Sequence, residues 1–260
     1  MMGAVGVLAD EDRAALERYL RAEGVDDDVR ARIMSLAASG LSWSPSEAPG
    51  RCRLGGAGLL PPGTEWPCDR NGRPLSFLAA ICLEELPAWS PLPHMGWLLF
   101  FAVLRSDRRE ELPVLEIAAN EAGAPIRVLF SDTVEEADAP PGAVVLTRRA
   151  VELCSAPTVP DDYEAPERVG LEEEDYQELA AGLRYGSEGW SLGRGAHWTF
   201  GAWSDPAFGQ PPPGSLLLLH LAHDDDLGLD LGGGTLEFRI DADDALHGDW
   251  IQVEVQPGFD

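Results

Sequence analysis

The chain has 260 residues and a formal net charge of -26, from 45 acidic side chains against 19 basic ones, all of which are arginine. This charge argues against a nucleic-acid partner, because duplex binding depends on cationic side chains that displace counterions, and against binding at anionic membrane surfaces. A basic protein partner would instead be attracted. The length allows one large domain or two small ones, and the hydrophobic content of 45% is ordinary for a globular protein.

The four cysteines argue against a zinc site, because none of them belongs to a C-x-x-C pair, and their number is low for a disulfide-stabilised fold. They are Cys52, Cys68, Cys82 and Cys154. Residues 1–9 lack the basic leading segment and the cleavage site of a secretory signal. The longest apolar run, residues 97–104, is too short to span a bilayer. We therefore expect a cytoplasmic protein with reduced thiols and no membrane partner.

Two helices are predicted near the N-terminus. Apolar side chains recur at helical spacing over residues 10–23, for which Asp10 is the expected N-cap, and again over residues 27–39. Together they should form a helical hairpin within residues 1–40, next to a second unit that covers residues 41–260.

Most of the remaining chain predicts strands. Short apolar or alternating runs bounded by glycine and proline occur at residues 75–83, 96–104, 112–118, 126–130, 144–154, 197–203, 216–222, 235–240 and 250–255. Residues 41–73 and 135–142 lack this periodicity and are expected to be irregular, while residues 155–168 connect two halves. One further helix, with acidic residues in its first turn, is predicted over residues 171–184. The expected fold class is α+β.

Two stretches of the sequence share one pattern, in which a glycine turn, a buried strand and an excursion precede a glycine and a second strand. The first stretch comprises residues 54–56, 74–81 and 96–101, and the second comprises residues 200–202, 213–221 and 234–239. A strand that is apolar on both faces must lie in a sheet that is covered on both sides. The pattern therefore predicts an internally duplicated β-rich core with related halves at about residues 50–154 and 195–255.

A set of glycine, proline and tryptophan motifs runs through the first half. They are Leu54-Gly55-Gly56, Pro61-Pro62-Gly63, Glu65-Trp66-Pro67, Gly72-Arg73-Pro74-Leu75-Ser76-Phe77-Leu78, Leu92-Pro93 and Gly96-Trp97-Leu98-Leu99-Phe100-Phe101. At this spacing the sequence resembles the YwqG-like family of bacteria (domain of unknown function 1963) over about residues 40–255. The resemblance implies an α+β fold with internal duplication, and it implies no activity, because none is established for the family. Family members often carry Gln at the position of Ala80, and His220 occupies the matching place in the second half.

His220, His223 and Asp224 are the nearest approach to a metal cluster in the sequence. Within one strand the two histidines would face opposite sides, because side chains alternate, so they could share a metal only if the strand ends between them. A site would also need a third protein ligand, for which a neighbouring aspartate or His197 is a candidate. We therefore expect no metal and no cofactor. The alternative is a hydrolase or metal-dependent enzyme that uses His220, His223 and nearby aspartates.

No strong catalytic motif is present: the chain has no lysine for a phosphate-binding loop and no Gly-x-Ser-x-Gly nucleophile motif. A ligand-binding site is predicted instead, with tryptophans lining a groove, although tryptophans are more often packed in a core. Its candidate residues are Trp66, Arg73, His197, Trp198 and His220. The favoured function is a non-catalytic binding or interaction protein, monomeric or homodimeric. Its partner would be a basic protein, which it could neutralise, or a small ligand.

Overall fold

The computed structural model describes residues 8–45, 51–104, 126–159, 164–185, 214–229, 231 and 235–258. The helices in these ranges are α1 (Asp10–Ala22), α2 (Asp27–Leu36), α3 (Ala165–Val169), α4 (Glu173–Tyr185) and α5 (Ala242–His247). The strands are β1 (Ala38–Pro45), β2 (Arg53–Leu54), β3 (Gly58–Leu60), β4 (Ser76–Cys82), β5 (Trp97–Ala102), β6 (Ile126–Ser131), β7 (Glu135–Ala137), β8 (Arg149–Thr158), β9 (Ser215–Ala222), β10 (Thr235–Asp241) and β11 (Glu254–Gly258). These strands pair in antiparallel fashion, and the α+β prediction is confirmed. None of the helices described is long and apolar enough to cross a bilayer.

Helices α1 and α2 pack together with α3 and α4 in one hydrophobic cluster. Leu16, Leu20, Ile33 and Tyr176 are almost completely buried there. Their burial follows from the helical spacing of apolar residues, which puts them on one face of each helix. The two N-terminal helices thus share a hydrophobic core with α3 and α4. Residue 40, the last residue of the predicted helical hairpin, lies inside β1, which pairs with β8.

A buried carboxylate connects α1 to the large sheet. Asp12 is 5% exposed and accepts hydrogen bonds from the hydroxyls of Ser39 in β1 and Ser155 in β8, the second at 2.6 Å. Ser39 Oγ also accepts a hydrogen bond of 2.9 Å from the backbone N–H of Ala9. Ala9 is the N-cap of α1 and Asp10 its first residue, so the predicted capping by Asp10 is wrong. Because a buried charge is tolerated only where hydrogen bonds replace water, this network fixes the position of α1.

The large sheet has the strand order β1-β8-β2-β4-β5-β6. The prediction that residues 41–73 and 135–142 are irregular is wrong, since β2 and β3 lie in the first range, β7 lies in the second, and most of β1 lies in the first as well. Strands β2, β3 and β7 are only two or three residues long. Such short strands cannot show the alternation by which strands are recognised in a sequence.

The glycine pair after β2 allows another segment to pass close to it. Gly55 and Gly56 both have positive φ, a conformation that favours glycine. A Cβ on Gly55 would lie 2.4 Å from the carbonyl oxygen of Thr147, and Gly56 N donates a hydrogen bond of 2.9 Å to Leu146 O. Residues 144–148 therefore lie against this glycine pair and are not part of a strand. Strand β8 begins at Arg149, whereas the sequence predicted a strand from residue 144.

The second sheet has the strand order β11-β10-β9. Strands β9 and β10 match the predicted strands at 216–222 and 235–240 to within one residue at each end. The strands predicted at 112–118 and 197–203 lie outside the described residues.

The segment that follows β10 differs from the prediction of one strand over 250–255. Helix α5 comes first, and Asp241 caps it by accepting a hydrogen bond of 2.8 Å from the backbone N–H of Asp243. Residues Trp250–Gln252 then form a 3₁₀ turn, and β11 begins only at Glu254. The prediction was therefore right only for the end of this range.

Strands β9, β10 and β11 repeat the register of β4, β5 and β6. In each set one leucine of the first strand, Leu78 or Leu218, stands outside the cross-strand pairing as a bulge residue. We call two residues register-equivalent when they occupy the same place relative to these leucines and to the pairing. The register-equivalent pairs are Phe77/Leu217, Ala80/His220, Trp97/Thr235, Leu99/Glu237, Phe100/Phe238, Phe101/Arg239 and Val128/Val255. Because register describes geometry and not descent, the internal duplication stays a prediction.

The two sheets pack together through their apolar inner faces. Phe100 and Phe238, which are register-equivalent, are completely buried and meet edge to face with ring centroids 5.2 Å apart. Leu98 and Leu236 lie in the same cluster. An edge-to-face pair adds about 0.5–1.5 kcal/mol to the burial of its rings. This shared core holds the second sheet against the first.

Replacing Asp12 by alanine should lower the free energy of unfolding by about 1–3 kcal/mol, because the buried hydroxyl of Ser39 loses its acceptor and Ser155 loses a hydrogen bond. Glu11→Ala is the matched control, since Glu11 is exposed in the same helical turn. Its effect should stay within about 0.5 kcal/mol. Urea unfolding of both variants checks the expectation, and equal effects would contradict the role given to Asp12.

Candidate ligand-binding site

The outer faces of the two sheets, which lie opposite the shared core, differ in chemistry. The first sheet carries four buried apolar side chains there, Phe77, Ala80, Leu99 and Phe101. The second sheet carries the register-equivalent residues Leu217, His220, Glu237 and Arg239, which are also buried. Equivalent backbone positions thus hold an apolar set in one sheet and an ionisable set in the other.

Glu237 is the centre of the ionisable set. Its Oε2 accepts a hydrogen bond of 2.8 Å from Nε of Arg239, two residues along β10. Its Oε1 lies 3.3 Å from Nδ1 of His220, the cross-strand partner in β9. An ionised carboxylate can only accept hydrogen bonds, so Nδ1 carries the proton in this contact. Glu237 has 0% exposure, so its contacts with His220 and Arg239 are made in the protein interior.

Two hydroxyls lie on the same face of the sheet. Ser215 Oγ is 3.5 Å from Nη1 of Arg239. Thr235 precedes Glu237 by two residues and therefore shares its face. Thr235 Oγ1 is buried and has no hydrogen-bond partner within the described part of the chain. We call Ser215, His220, Thr235, Glu237 and Arg239 the polar face.

The carboxylate of Glu237 stays charged although it is buried. Burial by itself raises the pKa of Glu237, because it disfavours the ionised form, but the hydrogen bond from His220 and the charge of Arg239 outweigh it. The pKa of Glu237 therefore lies below its ordinary value. At neutral pH the polar face contains a fixed negative charge between two nitrogen-bearing side chains.

The turn after β9 is attached to the large sheet. Asp224 is buried and accepts hydrogen bonds from both terminal nitrogens of Arg149 in β8, at 2.6 and 3.2 Å. Asp224 Oδ1 also accepts from the backbone N–H of Leu227 at 2.9 Å, while Leu227 O accepts from Thr147 N at 2.9 Å. This bidentate pair fixes the end of the strand that carries His220.

The alternative metal set of His220, His223 and Asp224 is not brought together. Strand β9 does end between the two histidines, at Ala222. Asp224, however, is engaged by the ion pair to β8, and Nε2 of His223 lies 3.2 Å from Oδ1 of Asp225. Within the ranges that the structure describes, no group of three His, Cys, Asp or Glu side chains is placed to hold a metal ion.

Trp66 covers the outer face of the first sheet. Its ring meets Phe101 edge to face at 5.7 Å, and its Nε1 donates a hydrogen bond of 2.7 Å to the carbonyl oxygen of Leu75. A Cβ on Gly58 would lie 2.4 Å from the ring, so glycine is needed beneath it. These contacts are internal packing, and ligand binding by Trp66 stays a prediction.

Arg73 lies in the turn before β4. Its Nε donates a hydrogen bond of 2.6 Å to Oδ2 of Asp69, whose Oδ1 accepts from the backbone N–H groups of Asn71 and Arg73. Desolvation by itself raises the pKa of Asp69, but these hydrogen bonds outweigh it and lower the pKa to about 2. Arg73 thus stabilises a turn, and its role in ligand binding also stays a prediction.

Two predicted ligand residues, His197 and Trp198, lie outside the described residues. Glu237, which contacts His220, and Arg239, which bonds Glu237, were not predicted. The sequence did contain a signal for them. The apolar residues of β10 alternate, so Glu237 and Arg239 must share the opposite face. Such a face is usually exposed to solvent, whereas here it is buried.

The fold and the site define an α+β protein with two antiparallel meanders of matching register and one buried polar face. The chain belongs to the family described as Domain of unknown function (DUF1963), whose model matches residues 52–256. This match confirms the family that the glycine, proline and tryptophan motifs suggested. It begins after β1 and covers β2 to β10 completely. None of the curated proteins is detectably similar in sequence.

Glu237→Gln should lower the free energy of unfolding by about 3–5 kcal/mol. The variant removes the negative charge that Nε of Arg239 bonds, while the Arg239 guanidinium stays buried. The matched comparison is the triple variant His220→Ala, Glu237→Leu, Arg239→Phe, which carries the residues of the register-equivalent apolar set. It should be more stable than Glu237→Gln, because packed apolar side chains can replace a buried ion pair. Urea unfolding measures both. A triple variant that is no more stable than the single one would contradict this reading of the polar face.

The contribution of Glu237 should also depend on pH. A carboxylate whose pKa is lowered in the folded state stabilises that state above its unfolded pKa of about 4.3. The stability is lost as the pH falls through the lowered folded value. The difference in unfolding free energy between wild type and Glu237→Gln should therefore be constant near neutral pH and shrink below about pH 4.3. Urea unfolding at a series of pH values tests this, and a difference that grows in acid would be incompatible with it.

Proposed function

We propose that this is a non-catalytic, cytoplasmic binding protein that holds a small ligand at the polar face. The observation that carries the proposal is the contrast between the two outer faces. The first sheet closes its outer face mostly with apolar side chains, β3 and Trp66, and its charged residue there, Arg53 in β2, lies over the Phe77 ring and pairs with Glu136. The second sheet has Glu237 at the equivalent depth with 0% exposure, hydrogen-bonded to a second charged residue.

Stability alone is a weak reason for this charged set. Removing a charge from water costs several kcal/mol, and the attraction between buried partners often only offsets that cost. The first sheet supports the view that an apolar set fits the same backbone. Ionisable groups that are held in such surroundings cluster at functional sites. A binding role accounts for the charged set, whereas a purely structural role would be met by apolar packing.

The proposal treats the two meanders as copies of one unit. Support comes from the matching register over three strands and from the bulge leucines Leu78 and Leu218. The contact between Phe100 and Phe238 also supports it, since equivalent residues meet near a two-fold axis. In this account one copy keeps an apolar outer face and the other acquired the ligand site.

The cysteines support a cytoplasmic location. Cys52, Cys68 and Cys82 are free thiols. Burial raises the pKa of the Cys52 and Cys82 thiols above the ordinary value. Thiols that remain protonated react slowly, which suits a compartment where thiols persist in the reduced form.

A thermal-shift screen of small molecules tests the proposal. At least one compound should raise the Tm of the wild-type protein, because a ligand that binds only the native state stabilises it. The same compound should not raise the Tm of the triple variant with the apolar set. Arg21→Ala is the control, because Arg21 is an exposed residue of α1 that was not predicted to bind a ligand, and this variant should keep the full shift. A ligand that stabilises the triple variant equally would place binding elsewhere and refute the proposed site.

The same screen separates binding from the hydrolase alternative. The contact of 3.3 Å between His220 Nδ1 and Glu237 resembles the arrangement in which a carboxylate orients a catalytic histidine. Turnover of a stabilising compound by wild type, and its loss in His220→Ala, would contradict the non-catalytic proposal and favour the hydrolase. Binding without turnover supports the binding protein.

A further inference from the structure

Exposed apolar side chains gather at the end of the first sheet where β5 begins and β6 ends. Within the described ranges, the large apolar side chains that are exposed are Met95, Phe130, Val145, Leu246 and Ile251. Single residues of this kind are ordinary on a protein surface, whereas a group of them indicates a contact surface. All of them except Val145 lie around one aromatic pair, that of Phe130 with Trp250.

This aromatic pair joins the end of β6 to the 3₁₀ turn before β11. The rings of Phe130 and Trp250 stack with centroids 6.1 Å apart and an interplanar angle of 21°. Gly96 lies against Phe130, because a Cβ on this glycine would be 2.9 Å from the ring. Met95 directly precedes that glycine, and Ile251 directly follows the tryptophan. Because consecutive Cα atoms are about 3.8 Å apart, both residues lie beside the pair, and they are 70% and 73% exposed.

Leu246 belongs to the same group. It lies in α5, which packs against the 3₁₀ turn that contains Trp250. Gly248, two residues after Leu246, lies against the indole, because a Cβ there would be 3.7 Å from Nε1 of Trp250. Leu246 is itself exposed. We call Met95, Phe130, Leu246 and Ile251 the apolar patch.

Acidic side chains border the apolar patch. Four exposed acids lie within three residues of one of its members along the chain: Asp132, Asp243, Asp249 and Glu254. Asp132 directly follows β6, and Asp249 directly precedes Trp250. The patch is therefore an apolar centre with carboxylates at its rim, an arrangement typical of protein interfaces.

Two arginines near this end of the sheet do not reverse the sign of the rim. Arg127 is three residues from Phe130 in β6, so its side chain projects from the opposite face of the strand. Arg51 lies over the Trp97 ring and pairs with Glu84. The surroundings of the apolar patch are thus acidic, in line with the formal net charge of -26.

The charge of the rim selects among the proteins that could cover the patch. A second copy of this chain would bring the same carboxylates and the same net charge of -26, and the two would repel each other. A partner with cationic side chains would be attracted by the rim, while its apolar side chains would be buried against the patch. Opposite charges at the rim and apolar contact at the centre then act together.

We infer that the apolar patch binds a basic protein through a segment in which apolar side chains are flanked by arginine or lysine. The apolar side chains of that segment cover Met95 and Ile251, and its cations face Asp132, Asp249 and Glu254. This assigns a surface to the basic partner that the net charge predicts. The inference does not depend on the small-ligand site, because the polar face is buried and the apolar patch is exposed.

Three synthetic peptides of equal length test the inference by calorimetry. The first alternates arginine with leucine, the second arginine with serine, and the third glutamate with leucine. The first should bind, and added salt should weaken it because salt screens exposed charges. The second should bind at least about tenfold more weakly, because it buries no apolar side chains. The third should not bind measurably, because its charge matches that of the rim.

The double variant Met95→Ser, Ile251→Ser locates the binding. It should fold like wild type, because both side chains are exposed, and raise the Kd of the arginine–leucine peptide at least about tenfold. Val145→Ser is the matched control and should leave the Kd unchanged. Val145 is also exposed, but it lies at the other end of the first sheet, where the neighbouring Val144 N bonds Ser76 Oγ.

Asp249→Asn tests the rim separately from the apolar centre. It should weaken binding of the arginine–leucine peptide and make it less sensitive to salt, because it removes one carboxylate and keeps the side-chain shape. An unchanged Kd in the double variant would overturn the inference, as would equally tight binding of the arginine–serine peptide. If salt promotes self-association of wild type but not of the double variant, the patch contacts a second copy and the basic partner is wrong.

Discussion

The inner faces of the two sheets press Phe100 against Phe238 in a core that contains residues of both. This contact constrains the rest of the molecule. Because the inner faces are committed to the shared core, differences in chemistry between the sheets can appear only on the outer faces or at the strand ends. One outer face is closed mostly by apolar packing, with Arg53 over the Phe77 ring, and the other carries His220, Glu237 and Arg239.

The polar face is rigid because its surroundings fix it from two sides. Glu237 holds His220 and Arg239 from within the sheet. The pair of Arg149 and Asp224 holds the turn after β9 against the large sheet. Side chains that are already oriented lose little freedom when a ligand arrives, so such a face is suited to binding. The basic protein partner expected from the net charge stays a separate prediction, because the polar face is buried and carries both signs of charge.

The sequence predicted most of the long elements of this fold and missed β1 and the short strands. Helices and strands with sustained periodicity, such as α1, α4, β4 and β10, were recognised because burial on one face leaves a repeating pattern. Strands β2, β3 and β7 were missed because they form through pairing at a distance, which no local pattern shows. The site was predicted only through His220. Glu237 and Arg239 have the alternation of an exposed strand face, and only tertiary packing reveals that the face is buried.

A single residue decides on which side of β9 the histidine lies. If Leu218 paired with Phe238, His220 would pair with Leu236, and its ring would project into the apolar core. The extra leucine shifts all later residues by one place, and so turns His220 towards Glu237. Strand β4 has the same irregularity, although alanine there needs no polar neighbour. The backbone on which the polar site depends is thus present in both sheets. In this fold such a site can be gained or lost by exchanging side chains alone, without rebuilding a strand.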